Sequence, residues 1–416
     1  MSLSTFELSS PVTTNLQAAI KITGSKSETN RLLLLQALFD NITIANKSNS
    51  DDADAMAAGL KVDQGVVDIH HAGTAMRFLT SYFASSEGKE VVLTGSKRMT
   101  ERPIKILVDA LRSLGADIQY TQNEGYPPLK IKGKKLTQSK VVMAANVSSQ
   151  YISSLLLIAP SLENGLELEL EGKITSVPYI KMTLSLLDAI GVQNSFKGQL
   201  IKVGAKKAVV AQELVVESDW SSASYFYSLC ALADLGSQIT LSSYKKDSLQ
   251  GDSVLREIYQ HLGVETQFDH HKIHLKKVAH LSDELIQNGL VWDLANAPDI
   301  AQTIAVSCFG LGIGCQLSGL HTLKIKETDR LVALFNELSK FGAEVHIDDQ
   351  SLTLNAFDGV LNSDVSVATY NDHRMAMAFA PLALKASFKI EDAMVVTKSF
   401  PDFWEDMEQL GIQVKK

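Results

Sequence analysis

Gly24-Ser25-Lys26-Ser27-Glu28-Thr29-Asn30-Arg31, running directly into the apolar LLLLQAL of residues 32–38, is a short polar stretch that opens a helix. Five more stretches share the plan. They are Gly73-Thr74-Ala75-Met76-Arg77 before FLTSYF, Ser148-Ser149-Gln150 before YISSLLLIA, Asp219 to Ser222 before ASYFYSLCALA, Lys326-Glu327-Thr328-Asp329-Arg330 before LVALFNEL, and Asn371-Asp372-His373-Arg374 before MAMAFAPLAL. Four of the six carry Lys or Arg where the helix would begin. Helix N-termini expose unpaired N–H groups and the positive end of the helix dipole, so phosphates and carboxylates settle there. One such start is commonplace, whereas six predict an anion site assembled from the whole chain for a multiply charged ligand.

Between these starts lie short β-rich runs bounded by Gly, Asn or Lys: EVVLTG, KVVMAANV, LELELEG, AVVAQELVVE, SQITLSS, KIHLKK and LTLNA. Strand and helix alternate, which predicts an α/β protein. Lys26, Ser148, Asp219, Asp299 and Arg374 recur at intervals of roughly 70 to 120 residues, pointing to a repeated unit rather than one doubly wound sheet. Residues 300–323 carry no Asp, Glu, Lys or Arg and are long enough for a membrane span. Their Gln, Thr, Ser and Gly content instead predicts a buried helix, a turn and a buried strand.

A chain of 416 residues, 45% hydrophobic and 21% charged, can bury two sizeable cores. Its net charge of −8 and interleaved Lys and Arg argue against nucleic acid as a partner. The start of the chain has no basic region followed by an apolar one, and Cys230, Cys308 and Cys315 sit in apolar surroundings without metal-ligand spacing. The expectation is a cytoplasmic protein with buried thiols, no metal and no membrane partner. Neither Gly-x-Gly-x-x-Gly nor Gly-x-x-x-x-Gly-Lys-Ser/Thr occurs, so the usual nucleotide loops are not expected.

GSKSETNRLLLLQAL, HAGTAMRFL, GSKRMTERPIKILVDALRSLGA, NVSSQYISSLLL, KETDRL, TYNDHRMAMA and TKSFPDF resemble, in order and across nearly the whole chain, the motifs of the 5-enolpyruvylshikimate-3-phosphate synthase family. That resemblance implies two similar inverse α/β barrel domains, each of three βαβαββ units, joined by a two-strand hinge. The first domain would span 23–216 and the second 217–416, completed by 1–22. It implies a cofactor-free, monomeric enzyme of the shikimate pathway that closes on phosphoenolpyruvate and shikimate 3-phosphate, transfers the enolpyruvyl group to the 5-hydroxyl and releases phosphate.

Residue by residue, the resemblance implies Lys26, Gly73, Arg102, Gln150, Arg330, Arg374 and Lys398 for phosphoenolpyruvate. Shikimate 3-phosphate falls to Lys26, Ser27, Arg31, Ser148, Ser149, Gln150, Ser176, Tyr179, Asp299, Thr322 and Lys326. These residues also make chemical sense. Forked guanidinium groups match phosphate and carboxylate oxygens better than ammonium points do, and addition across a double bond needs a base and an acid. Asp299 is the implied base and Glu327 the implied acid, with Lys26 and His373 assisting. Cations around Glu327 favour its ionised form, so donating a proton demands desolvation or a nearby like charge. Asp219 reads as a plain helix cap.

The sister enolpyruvyl transferases that act on a UDP-amino sugar typically carry a mobile Cys beside the arginine loop, and GSKRMTERP has none. A silent binding protein on the same scaffold is the other alternative, opposed by the retention of Lys26, Asp299, Glu327, Arg330 and Arg374. The sequence departs from the family at Thr23, His71, Thr322 and Phe78, where Pro, Asn, Asn and Pro are usual. Gly73 leaves room for the inhibitor glyphosate in family members. A Pro at position 78 is expected in the first turn of its helix, so Phe78 is expected to reset that helix tip.

Overall fold

The computed structural model describes residues 4–145, 148–174 and 177–416. They pack as two compact units: Gly24–Val216, and the chain up to Thr23 together with Glu217–Lys416. The chain enters the first unit through Gly24, where a Cβ would lie 1.9 Å from the Asn46 carbonyl oxygen. Backbone approaches backbone too closely there for any side chain.

One pattern recurs in both units. Strand Gln64–Asp68, helix Gly73–Ser85, strand Glu90–Thr94, helix Lys105–Ser113 and the antiparallel strands Asp117–Tyr120 and Leu129–Lys132 follow in order. The first two strands pair parallel, with Val67 opposite Leu93, and Leu129–Lys132 lies antiparallel on the other side of Glu90–Thr94. Parallel pairing needs a crossover, which the helix supplies. The same order, first, second, fourth, third strand, holds for the sheet from Lys140–Ala144 to Leu200–Val203 and for that from Leu290–Asp293 to Leu352–Leu354. The N-terminal segment completes two sheets of the other unit. Gln17–Ile20 pairs parallel with Gln238–Ser242, and Phe6–Ser9 lies antiparallel to Phe388–Ile390. In the first unit, Ile42–Ala45 and Gln212–Val215 form a two-stranded parallel piece.

Helices apolar on every side belong in the interior, and amphipathic ones outside. Every residue of Trp220–Leu232 except Ser221, and every residue of Ala301–Gly310 except Gly310, is buried. With His373–Phe379, buried throughout, they pack on one another at the centre of their unit, inside its sheets. Ser224 bonds Thr303 at 3.0 Å and Ser307 bonds Ser228 at 2.8 Å, so these two helices run parallel in register. In the other unit Lys26–Leu38, Gly73–Ser85 and Ser149–Ile158 occupy the centre in the same way. Helices inside and sheets outside make each unit an inverse α/β barrel.

All six polar stretches open helices as expected, but not helices of one kind. Five begin central helices. The KETDR stretch begins the amphipathic Arg330–Lys340, whose buried face is Arg330, Leu331, Ala333, Leu334, Glu337 and Leu338. The sixth central helix starts at Ala301, after a 3-10 turn, Pro298–Ile300, that carries Asp299. Residues 300–323 do form the buried helix, a turn at Gly312 (φ +77°) and the strand Cys315–Ser318. AVVAQELVVE overstates its strand, which covers only Gln212–Val215. Before it, Val210 is 81% exposed and the Val209 carbonyl accepts from Asn41 Nδ2 instead of a ladder partner.

Candidate active site

In the Gly24–Val216 unit, the N-termini of the central helices gather the expected residues. Lys26 Nζ lies 3.2 Å from Asp52 Oδ2, and His71 Nε2 is 3.8 Å from the other oxygen of the same buried carboxylate. Gly73 and Thr74 begin their helix without a side-chain cap. Gln150 Nε2 donates to Thr74 Oγ1 at 3.1 Å, tying two helix starts together. Arg102 comes to the same place: a Cβ on Gly73 would lie 2.6 Å from its Nη1. Its loop is braced twice, by Arg77 Nη2 and by the Tyr151 hydroxyl, both donating to the Pro103 carbonyl, at 3.3 and 2.5 Å. Gly73→Ala therefore forces the Arg102 guanidinium aside without disturbing backbone. We expect about a tenfold rise in the KM for the anion that Arg102 is expected to hold, roughly the loss of one charge-assisted hydrogen bond, at an unchanged melting temperature. An unaltered KM would contradict it.

Arg31 is buried and already engaged. Nε donates to Thr183 Oγ1 at 2.8 Å, Nη1 to the Ser27 carbonyl at 2.7 Å and Nη2 to Ser153 Oγ at 2.9 Å. Burial brings its pKa down to about 10. Nη2 also donates to the Tyr179 carbonyl at 3.4 Å, so of the five N–H groups one, on Nη1, is left over in this set. Its guanidinium sits 5.4 Å from the Phe78 ring centre and 6.0 Å from that of Tyr179. Phe78 is the sixth residue of its helix, whose bond ladder has begun two residues earlier with Met76 N–H on the Ala72 carbonyl at 3.0 Å. The expectation that position 78 lies in the first turn is thus corrected: its side chain packs under Arg31 and does not set the helix tip. Ser148 caps Ser149–Ile158, accepting from Gln150 N–H at 3.4 Å. Ser149 is buried in the first turn, and Ser176 lies outside the described residues.

The other unit carries a denser cluster. Arg330 is 1% exposed and meets three carboxylates: Nε to Asp372 Oδ2 at 2.6 Å, Nη1 to Asp299 Oδ1 at 2.8 Å and Nη2 to Glu327 Oε2 at 2.9 Å. Burial alone would lower its pKa, but Asp372, Glu327 and Asp299 overcome that and raise it. Asp299 also meets Lys326 Nζ at 3.2 Å and Arg374 Nη2 at 3.5 Å. Burial alone would raise the Asp299 pKa, yet Lys326, Arg374 and Arg330 hold it well below the usual carboxylate range. His373 Nδ1 is 3.8 Å from Asp372, which also caps its helix by accepting Arg374 N–H at 2.9 Å. Lys398 Nζ donates to the Asn371 carbonyl at 2.5 Å, at the end of two consecutive left-handed residues, Tyr370 and Asn371 (φ 53° and 55°). Thr322 Oγ1 is buried with no hydrogen-bond partner among the described residues.

Two residues of these networks were assigned no role from the sequence. Asp52 lies in the acidic DDADA run that opens the helix Asp51–Gly59. Asp372 carried a usable signal, since an Asp before an apolar helical run is a cap candidate, but nothing local linked it to Arg330.

Fold and site together define a class: a two-unit α/β protein with guanidinium, ammonium and N–H groups gathered at the starts of central helices, suited to small, multiply charged anions. A family model described as EPSP synthase (3-phosphoshikimate 1-carboxyvinyltransferase) matches residues 60–407. The 3-phosphoshikimate 1-carboxyvinyltransferase of Bacteroides fragilis is 42% identical over 414 residues, covering 98% of each chain. That of Haemophilus influenzae is 35% identical, covering 96% of this chain and 97% of its own. The structure of EPSP synthase from Acinetobacter baumannii superposes with a TM-score of 0.78 at 20% identity, over 99% of this chain and all of that one, and shares the fold. The chain belongs to the EPSP synthase family, the 3-phosphoshikimate 1-carboxyvinyltransferases.

Proposed function

We propose that this chain transfers the enolpyruvyl group of phosphoenolpyruvate to the 5-hydroxyl of shikimate 3-phosphate and releases phosphate. The observation that carries the reading is the cluster in which Arg330 and Arg374 meet Asp299, Glu327 and Asp372. It holds potential acid, base and anion receptors within one hydrogen-bonded network. On this reading Asp299 takes the proton of the 5-hydroxyl as its oxygen attacks C2 of phosphoenolpyruvate, and Glu327 gives a proton to C3. The C2–O bond to phosphate then breaks as C3 returns a proton. Arg102, Arg330, Arg374 and Lys398 hold phosphoenolpyruvate, with Lys26 and His373 assisting charge and proton movement. Anionic substrates draw Arg374 and Arg330 off Asp299, and a base held so low by cations regains basicity as they leave.

Among the described residues no helix is long and apolar enough to cross a membrane. We read the protein as a cytoplasmic monomer, which light scattering coupled to size exclusion checks.

The test is phosphate release from phosphoenolpyruvate. Release should require shikimate 3-phosphate, fail with a UDP-amino sugar and survive a chelator. Sustained turnover with the amino sugar would replace this reading with the sister reaction. Chelator inhibition reversed by metal would show a metal requirement that the proposed Arg and Lys chemistry lacks.

A further inference from the structure

The helix Trp220–Leu232 opens at one of the six polar starts, yet no residue of that start has a part in the reaction as assigned. Asp219 is explained locally, since its Oδ1 caps the helix by accepting Ser222 N–H at 3.0 Å. Ser221 is not. It is the one residue of the helix that escapes burial, and its Oγ accepts from Arg374 Nη2 at 3.2 Å while donating to Asp252 Oδ2. Asp252 is 2% exposed and lies in the 3-10 turn Gly251–Val254. Gln250 locks that turn to the same helix start: Oε1 accepts Trp220 N–H at 3.0 Å and Nε2 donates to the Ser218 carbonyl at 2.8 Å.

A serine hydroxyl has one hydrogen and two lone pairs, whereas a carboxylate only accepts. As a carboxylate, its form above about pH 7, Asp252 accepts the Ser221 hydrogen, and the lone pairs are left facing Arg374. We propose that Asp252 is a positioning residue for Arg374: by fixing the Ser221 hydroxyl it aims the guanidinium at the phosphoenolpyruvate site before substrate arrives. The inference rests on the assignment of Arg374 to phosphoenolpyruvate made above. Asp252 is in electrostatic contact with this group of charges. Burial first, and then the charge of Asp299, push its carboxyl up to about 7, with Asp219 adding to the rise while Arg374 and the Ser221 bond oppose it. Those two contacts are what favour its carboxylate form.

Steady-state phosphate release decides the matter. Ser221→Ala removes one oxygen from a partly exposed first-turn position and should raise the KM for phosphoenolpyruvate about tenfold, the scale of one hydrogen bond to a charged group. Its kcat should stay within about threefold and its KM for shikimate 3-phosphate should not move. Asp252→Leu should match it, and the double variant should be no worse than either alone, because the two residues act in series. Asp252→Asn keeps a carbonyl acceptor and should stay within about threefold of wild type.

A wild-type KM for phosphoenolpyruvate in Ser221→Ala overturns the proposal, as does an Asp252→Asn variant as impaired as Asp252→Leu. If Asp252→Leu does not fold, Ser221→Ala and Asp252→Asn decide between them. A wild-type protein without shikimate 3-phosphate-dependent release defeats the functional reading itself, and this inference with it. A wild type that turns over beside an unaffected Ser221→Ala defeats the inference alone.

Discussion

Arg330→Met is expected to lose about 3 to 5 kcal/mol of stability, the usual consequence of removing one partner from a buried ionic network. Met fills much of the volume but leaves Asp299, Glu327 and Asp372 facing one another. Asp299 retains Lys326 and Arg374. Asp372 is fully buried and loses the 2.6 Å guanidinium contact. The sign of the pH dependence follows from Asp299, whose pKa is depressed in the folded wild type. A depressed carboxylate contributes stability above its unfolded pKa of about 3.9 and loses it as pH falls through the folded value. The variant forgoes part of that contribution. The gap between wild type and variant should therefore stay full from neutrality down to about pH 4 and shrink as pH falls further. Urea unfolding at several pH values measures it, and a gap that stays constant or grows on that further acidification would refute the argument. Arg330→Lys restores charge but not the fork, so it should fall between the two.

The contrast between Arg330 and its neighbours shows what a sequence can and cannot disclose. The α/β class, the repeat and the helix starts were legible because each depends on local pattern: an apolar run after a capping residue is a helix whatever surrounds it. What local pattern could not separate was Lys326 to Arg330, which reads like the other starts but opens an outer amphipathic helix, from Pro298–Ile300, which begins a central one without a basic residue. The length of the strand in AVVAQELVVE was misread because valine-rich sequence looks the same whether or not a ladder continues. Side-chain pairings were illegible for a deeper reason. Asp52 meets Lys26, Asp372 meets Arg330 and Asp252 meets Ser221 only after elements remote in the chain are packed. Phe78 makes the same point, since its place in the helix depends on where the first backbone bond closes, at Met76.

Glu327→Gln is expected to reduce kcat by roughly 10²- to 10⁴-fold, the range for loss of a general acid or base, with little effect on affinity for shikimate 3-phosphate. The side chain stands at 20% exposure with Oε2 2.9 Å from Arg330 Nη2. A Gln carbonyl can accept that same donor, so the substitution spares the packing and the geometry of Arg330 while removing the titratable proton. The separation of effects is the point of the experiment. In the free protein Glu327 is one of three carboxylates sharing Arg330, so on the proposed mechanism the proton destined for C3 is taken up once substrate anions compete for that guanidinium. Gln cannot take it up. Binding of shikimate 3-phosphate, measured by calorimetry without phosphoenolpyruvate, should change by less than about threefold, because this substrate is assigned to Asp299, Thr322 and Lys326 in this unit. A stability loss as large as that of Arg330→Met would instead mean that Glu327 matters as a counter-ion. Near-normal turnover would remove it from the proton-transfer path and leave Lys26 and His373 as the groups to test for delivery of the proton to C3.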